Sequence, residues 1–156
     1  MNILTTLDTP LGKVSVRIRD DKLCEINIGD ECQHQAYDNN TLLKQLRSEL
    51  DTYFADNQFH FSVPLDLHGT KFQQRVWQAL SRIPVGETST YGQLATQLNS
   101  SPRAVGNACR ANPLPIIIPC HRVIAKQGLG GYDGQTSGKR LDIKRWLLKH
   151  EGVCIN

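Results

Sequence analysis

The sequence predicts an α+β fold: a small N-terminal antiparallel sheet with one helix, followed by a mostly helical C-terminal lobe that contains a helix-turn-helix. Three observations lead there. Polar and apolar residues alternate with period two through "NILTTLDT", "GKVSVRIR" and "KLCEINIG". The pattern then changes to helical spacing and stays helical to the end of the chain. Within that second part, Thr70 with Gln73 and Thr90 with Gln93 each have the spacing of a capping box.

The three alternating stretches are separated by "PLG" and "DD", which are turn signals, so they read as an antiparallel meander. "NTLLKQLRSELDTYF" sets Leu42, Leu46, Leu50 and Phe54 on one helical stripe. "VPLDLHGT" reads as the connection between lobes, placing the boundary between residues 1–66 and 67–156. Behind the cap at Thr70, residues Phe72, Val76, Ala79, Leu80 and Ile83 supply an apolar face that "IPVG" terminates. The cap at Thr90 opens the short helix "YGQLATQL", "NSS" turns the chain, and "SPRAVGNACRA" starts again with Ser101 at N-cap and Pro102 at N1. "LDIKRWLLKHE" forms the last helix and stops at Gly152. Trp77 and Trp146 share helical spacing with leucines and are expected in the core, Cys109 reads as structural and Cys154 as incidental.

Bulk composition narrows the class. At 156 residues, with 39% hydrophobic and 21% charged residues, the chain suits a soluble globular protein of one domain or two small lobes. "MNILTTLDTP" lacks a basic region followed by an apolar stretch, so no secretory signal is expected, and no window offers the roughly 18 apolar residues of a membrane span. Five cysteines, widely spaced and without a C-x-x-C pair, suit a reducing cytoplasm rather than a disulfide framework. Charge is divided unevenly. Residues 1–69 hold 6 Lys+Arg against 11 Asp+Glu, and residues 70–156 hold 12 against 4. An anionic partner such as nucleic acid requires a basic surface of that kind, although a solvated face gives the same count.

The helix-turn-helix lies in the basic half. Its second helix combines small residues (Ala104, Gly106, Ala108) with Arg103 and Arg110. Glycine inside a packing helix costs about 1 kcal/mol relative to alanine, whereas close approach to a DNA backbone favours small residues flanked by arginines. DNA contact is therefore the preferred reading. Further on, "NPLPIIIPCHRVI" braces Cys120 and His121 with Pro113, Pro115 and Pro119. Taken alone, Cys120 reads as a buried core cysteine. Three prolines do not suit a simple core strand, however, and fixing a reactive group would justify them. In an extended strand Cys120 and His121 would face opposite ways, so a catalytic pair needs a turn there or a bridging water. An orienting carboxylate would have to come from Glu87, Asp133, Asp142 or Glu151, the only four of this lobe.

"IPCHRVI", preceded by "NACRANPLPI" and followed by "GGYDG" and "RWLLKHEG", closely resembles the O6-alkylguanine-DNA alkyltransferases, also called methylated-DNA–protein-cysteine methyltransferases. The resemblance covers the second lobe, with "TTLDTPLGKVSV" a weaker match in the first. It implies direct, irreversible transfer of an alkyl group from O6-alkylguanine in DNA to Cys120, once per molecule, with O4-alkylthymine as a further substrate class. His121 would be the base, relaying through water, with Glu151 orienting it. Tyr91 would donate a proton to the leaving guanine and steer the adjacent phosphate. Asn112 would hold the turn that carries the cysteine. Arg103 would fill the base stack after the nucleotide flips out, with Ala104, Gly106 and Arg110 along the DNA. Cys120, Val123, Tyr132, Asp133 and Gly134 would form the guanine pocket. Asp133 and Gln135 depart from the small residue and the glycine usual there.

The resemblance also implies alkylated double-stranded DNA as partner, a cytoplasmic monomer and no cofactor, since the donor is the damaged base. Some relatives bind zinc through the N-terminal lobe. Cys24, Cys32, His34 and His68 do not reproduce that ligand set, so no metal is expected. Two rival functions compete with this reading. A non-catalytic lesion sensor of the alkyltransferase-like type lacks the acceptor cysteine, which is present here. A cysteine hydrolase would need an oxyanion site and a turnover route, for which the sequence gives no sign.

Overall fold

Period-two alternation builds the first unit of the chain, residues 1–67. The computed structural model describes residues 2–29, 40–56, 58–130 and 138–154. Strands β1 (Asn2–Thr9), β2 (Gly12–Arg19) and β3 (Lys22–Ile28) form an antiparallel sheet in sequence order. Asp20 and Asp21 both have positive φ (51° and 61°), as a two-residue type I′ hairpin requires, and aspartate tolerates that conformation better than most residues. Ile3, Leu7, Val14, Val16, Ile18, Leu23 and Ile26 are buried. Helix α1 (Thr41–Ala55), capped by the Asn40 side chain on the Leu43 N–H, packs on β1 and buries Leu42, Leu46, Leu50 and Tyr53.

Two features of this unit go beyond the sequence reading. The segment read as a plain connection pairs with the sheet: Leu23 donates to the Pro64 carbonyl at 2.9 Å and Asp66 donates to the Leu23 carbonyl at 2.8 Å. Glu49, on the buried side of α1, accepts from Ser62 N at 2.7 Å, Ser62 Oγ at 2.8 Å and Gln45 Nε2 at 2.8 Å. Burial works to raise its pKa, and these bonds more than offset that, so the carboxyl sits below its ordinary value.

The second unit spans residues 68–156. Helix α2 (Lys71–Ser81) starts at a complete Thr70–Gln73 capping box, and α3 (Tyr91–Gln97) at a complete Thr90–Gln93 box. α3 ends in a Schellman motif with Asn99 in the left-handed region (φ 54°), where Ser100 N donates to the Ala95 carbonyl at 2.8 Å. Ser101 then caps α4 (Pro102–Arg110). α2 anchors the C-terminal ends of both helices of this helix-turn-helix: Arg75 donates to the Leu98 carbonyl at 3.1 Å, and the Trp77 indole donates to the Ala108 carbonyl at 2.9 Å. A Cβ at Gly69 would lie 2.6 Å from the Trp77 ring, so only glycine allows that approach. Ser89 and Thr90 form β4, which pairs in parallel with β5 (Val123–Ile124). Helix α5 (Lys139–His150) ends at Gly152, φ 88°, again in a Schellman motif.

Trp146 corrects the core expectation. It is 36% exposed, while Leu147 and Leu148 turn inward, and its ring stacks on His150 one turn later at 5.1 Å. Trp77 is buried as expected.

Candidate functional site

The segment leading to Cys120 is held by its own polar groups. Asn112 donates through Nδ2 to the Ile118 carbonyl at 2.9 Å and accepts at Oδ1 from Leu114 N at 2.9 Å, closing the loop from both sides. Inside that loop Ile116 has φ 76°, a conformation that costs a β-branched residue about 1–3 kcal/mol. Pro119 (φ −81°, ψ 66°) is the centre of an inverse γ-turn in which Cys120 N donates to the Ile118 carbonyl at 2.8 Å. Cys120–Arg122 then form one 3-10 turn, η1. The chain therefore turns at Cys120, and the strand geometry that would separate Cys120 from His121 does not apply.

The turn buries Cys120, His121 and Arg122 together, and Glu151, at the C-cap of α5, reaches two of them. His121 Nε2 lies 2.7 Å from Glu151 Oε2. Arg122 grips the same carboxylate with two bonds, Nε to Oε1 at 2.8 Å and Nη2 to Oε2 at 3.0 Å, and its Nη1 donates to the Ile83 carbonyl at 2.7 Å. Burial holds the His121 pKa below its ordinary value, and the Arg122 and Lys144 charges add to this against the pull of Glu151. The imidazole is therefore neutral. With a carboxylate at Nε2, the ring hydrogen sits there, and Nδ1 keeps a lone pair. Nδ1 is buried and has no hydrogen-bond partner among the described residues. This is the electronic state of a general base.

Tyr91, the first residue of α3, is half-buried, with its ring beside Gly106 of α4 and Gly130. Lys144 Nζ stands 5.8 Å from the ring centroid. A Cβ at Gly130 (φ 75°) would come within 3.1 Å of Tyr91 Cε2 and of Ala125 N, so this glycine leaves the ring its place. Burial raises the phenol pKa well above its usual range, and Tyr91 remains a proton donor. On α4, Arg103, Asn107 and Arg110 lie along the more open side, with Val105 and Ala108 buried on the other. Gly106 is half-buried between them, and neither α3 nor α4 has an acidic residue in its first turn. A Cβ at Gly106 would meet only Tyr91 Cε1 at 4.0 Å, an ordinary contact, so packing within the chain does not demand glycine there.

The structure thus brings Cys120, His121, Glu151, Asn112 and Val123 together around one turn, with Tyr91 and α4 alongside. Tyr132, Asp133 and Gly134 lie outside the described residues. Sequence reading missed Arg122, Lys144 and Asn107. Arg122 left one signal: an arginine inside an apolar, proline-braced run must find a carboxylate, and few are available in this lobe. Lys144 left another, standing on the same helical face as Leu141, Leu148 and Glu151. Among the described residues no group of three or more His, Cys, Asp or Glu is placed to hold a metal ion, and no helix is long and apolar enough to cross a membrane.

Comparison with known proteins covers nearly the whole chain. The family model for the 6-O-methylguanine DNA methyltransferase ribonuclease-like domain matches residues 2–67, and that for the DNA binding domain of the same name matches residues 71–153. The chain is 38% identical over 164 residues to the constitutive methylated-DNA–protein-cysteine methyltransferase of Bacillus subtilis, covering 98% of this chain and 97% of that one. With the methylated-DNA–protein-cysteine methyltransferase of Mycobacterium leprae it shares 40% identity over 153 residues, covering 94% and 92%. Among solved structures, the Mycobacterium tuberculosis OGT in complex with DNA is similar at a TM-score of 0.80 and 37% identity, covering 96% of this chain and 92% of that one.

Proposed function

The chain belongs to the 6-O-methylguanine DNA methyltransferase family, and from that premise we propose that Cys120 is the thiol on which it takes the alkyl group from damaged DNA. The protein is a methylated-DNA–protein-cysteine S-methyltransferase that repairs DNA by direct alkyl transfer. Its working partner is alkylated duplex DNA, which it meets as a monomer in the cytoplasm.

The observation that carries the assignment of roles is the neutral His121, its Nε2–H given to Glu151 and its buried Nδ1 open to a proton. The Cys120 proton passes through a water to Nδ1, and the thiolate sulfur attacks the alkyl carbon on O6. The S–C bond forms as the C–O bond breaks, and the electron pair stays on the guanine. Tyr91 donates a proton to that guanine, and the proton held by His121 restores the phenol. The thiol hydrogen thus ends on the base and the alkyl group on sulfur, with no cofactor entering the balance. Because O6 lies inside the duplex, the nucleotide must be flipped out, and Arg103 fills the space it leaves. The guanine sits against the backbones of Cys120 and Val123, with Tyr132, Asp133 and Gly134 completing the pocket.

Intact mass after incubation with a duplex containing O6-methylguanine tests this directly. The expected result is one methyl in place of one hydrogen, on Cys120, saturating at one per protein. Tight lesion-dependent binding without any gain would make the protein a sensor, and the roles of His121 and Glu151 would fall.

The α4 face carries a second prediction. Gly106→Ala should stabilise the protein by up to about 1 kcal/mol, raising Tm by roughly 2–4 °C, because the helix improves and nothing is displaced. Its affinity for duplex DNA should nevertheless fall about tenfold, a loss of about 1.4 kcal/mol, as the added methyl holds the backbone off. Equal affinity for the two proteins in a fluorescence-anisotropy titration would remove α4 from the interface.

A further inference from the structure

Lys144 lies on α5 among the leucines of its buried face, and its side chain is wholly enclosed, a state rare for lysine unless something holds the ammonium. Here the Val123 carbonyl accepts from Nζ at 2.6 Å. Val123 directly follows the Cys120–Arg122 turn, and Glu151, seven residues after Lys144 and on the same side of the helix, binds His121 and Arg122. We propose that Lys144 is a positioning residue for alkyl transfer: α5 grips the reactive segment at two points, Glu151 on His121 and Arg122 and Lys144 on the Val123 carbonyl, and the ammonium is the part of that grip whose charge serves Cys120 and Tyr91. The inference rests on the reading of Cys120 as alkyl acceptor.

Two consequences separate this role from simple packing. The carbonyl that Lys144 holds belongs to β5, which pairs with Ser89–Thr90, and Thr90 caps the helix that begins with Tyr91. Lys144 therefore fixes the reactive turn in register with the proton donor. Its charge also favours the thiolate form of a nearby cysteine and interacts with the face of the Tyr91 ring. Among the described residues, the titratable groups that face Lys144 include Cys109 on α4, Cys120 and His121 on the turn, and Tyr91 on α3. Burial pushes the Cys109 thiol up to about 12, raises the Tyr91 phenol and keeps His121 neutral. Burial draws the Lys144 ammonium down to about 8. Its charge is thus present at neutral pH and lost in the mildly alkaline range.

The test is the single-turnover rate of methyl transfer from an O6-methylguanine duplex, followed by mass from about pH 6 to about pH 9. Thiol ionisation alone makes the rate climb and then level off. The expected profile instead falls on the alkaline side, with a midpoint near pH 8. Lys144→Met should lower the rate at neutral pH at least about tenfold and abolish the falling limb, with affinity for undamaged duplex unchanged within about twofold. Lys144→Arg keeps its charge throughout and should recover part of the rate without the falling limb. A Lys144→Met rate within about twofold of wild type at neutral pH overturns the inference, as does a Lys144→Met profile that keeps the same alkaline limb. Should Lys144→Met fail to fold, Lys144→Gln decides by the same two readings. Methyl on Cys120 at an undiminished Lys144→Met rate would sink the role of Lys144 alone, whereas no methyl on Cys120 at any pH would sink both readings.

Discussion

Cys120→Ser is expected to abolish methyl gain, by more than about 10⁴-fold in rate, while lesion binding stays within about threefold of wild type. Serine is nearly the same size as cysteine, so the turn held by Asn112 and Pro119 should persist. What changes is acidity. An ordinary thiol ionises near pH 8.5, within reach of a neutral imidazole, whereas a hydroxyl lies far above it. His121, held below its ordinary pKa by burial, takes the proton of a thiol far more readily than that of an alcohol, and an alkoxide is the poorer nucleophile toward an alkyl carbon. The same reasoning explains why the family's one transfer should fall on Cys120 and not on Cys109. The Cys109 thiol, pushed up to about 12, has almost no thiolate to offer. Mass analysis of the variant after incubation with the lesion duplex checks both points at once. Methyl appearing on Cys109, or on the hydroxyl that replaces the Cys120 thiol, would mean that burial and acidity do not choose the acceptor.

Much of this architecture was legible because it rests on local rules. The sheet follows from alternation and from turns that aspartate tolerates, and both capping boxes form as their Thr-x-x-Gln spacing dictates. What escaped was set by distant partners. Glu49 looks like one more solvated helical residue until Ser62, remote in sequence, supplies its hydrogen bonds. Trp146 directly precedes Leu147 and Leu148, yet the narrow buried stripe of α5 is taken by Leu141, Lys144, Leu147 and Leu148, so the indole is left outside. At the site the nucleophile, base and carboxylate could be named from the motif. Its electronic state could not, since the neutrality of His121 depends on Arg122 sharing Glu151 and on full burial, neither of which has a periodicity. The strain at Ile116 was equally hidden among prolines that suggested stiffness of their own.

Glu151→Ala is expected to cost about 3–5 kcal/mol of stability, and so to lower Tm by roughly 10 °C or more, because it leaves the Arg122 guanidinium buried without its carboxylate. Alkyl transfer should fall with it, but that loss would mix folding with chemistry. Glu151→Gln separates the two. The amide keeps the volume and one acceptor oxygen, so part of the Arg122 contact survives and the fall in Tm should be smaller. At His121 the outcome is different. Oε2 also accepts from Arg122 Nη2, so the amide oxygen takes that place and Nε2–H keeps an acceptor, but the negative charge that stabilises the imidazolium once the thiol proton reaches Nδ1 is lost. Losing the orienting carboxylate of a serine protease triad costs about 10⁴ in rate, and a loss of about 10²–10⁴ is expected here, at temperatures where the variant is fully folded. The pair Arg122→Met with Glu151→Gln completes the argument. Removing the guanidinium together with the carboxylate leaves no uncompensated charge, so stability should return toward wild type while transfer stays slow. If that double variant regained its rate along with its stability, Glu151 would be a structural counter-ion for Arg122 and not the group that orients the base.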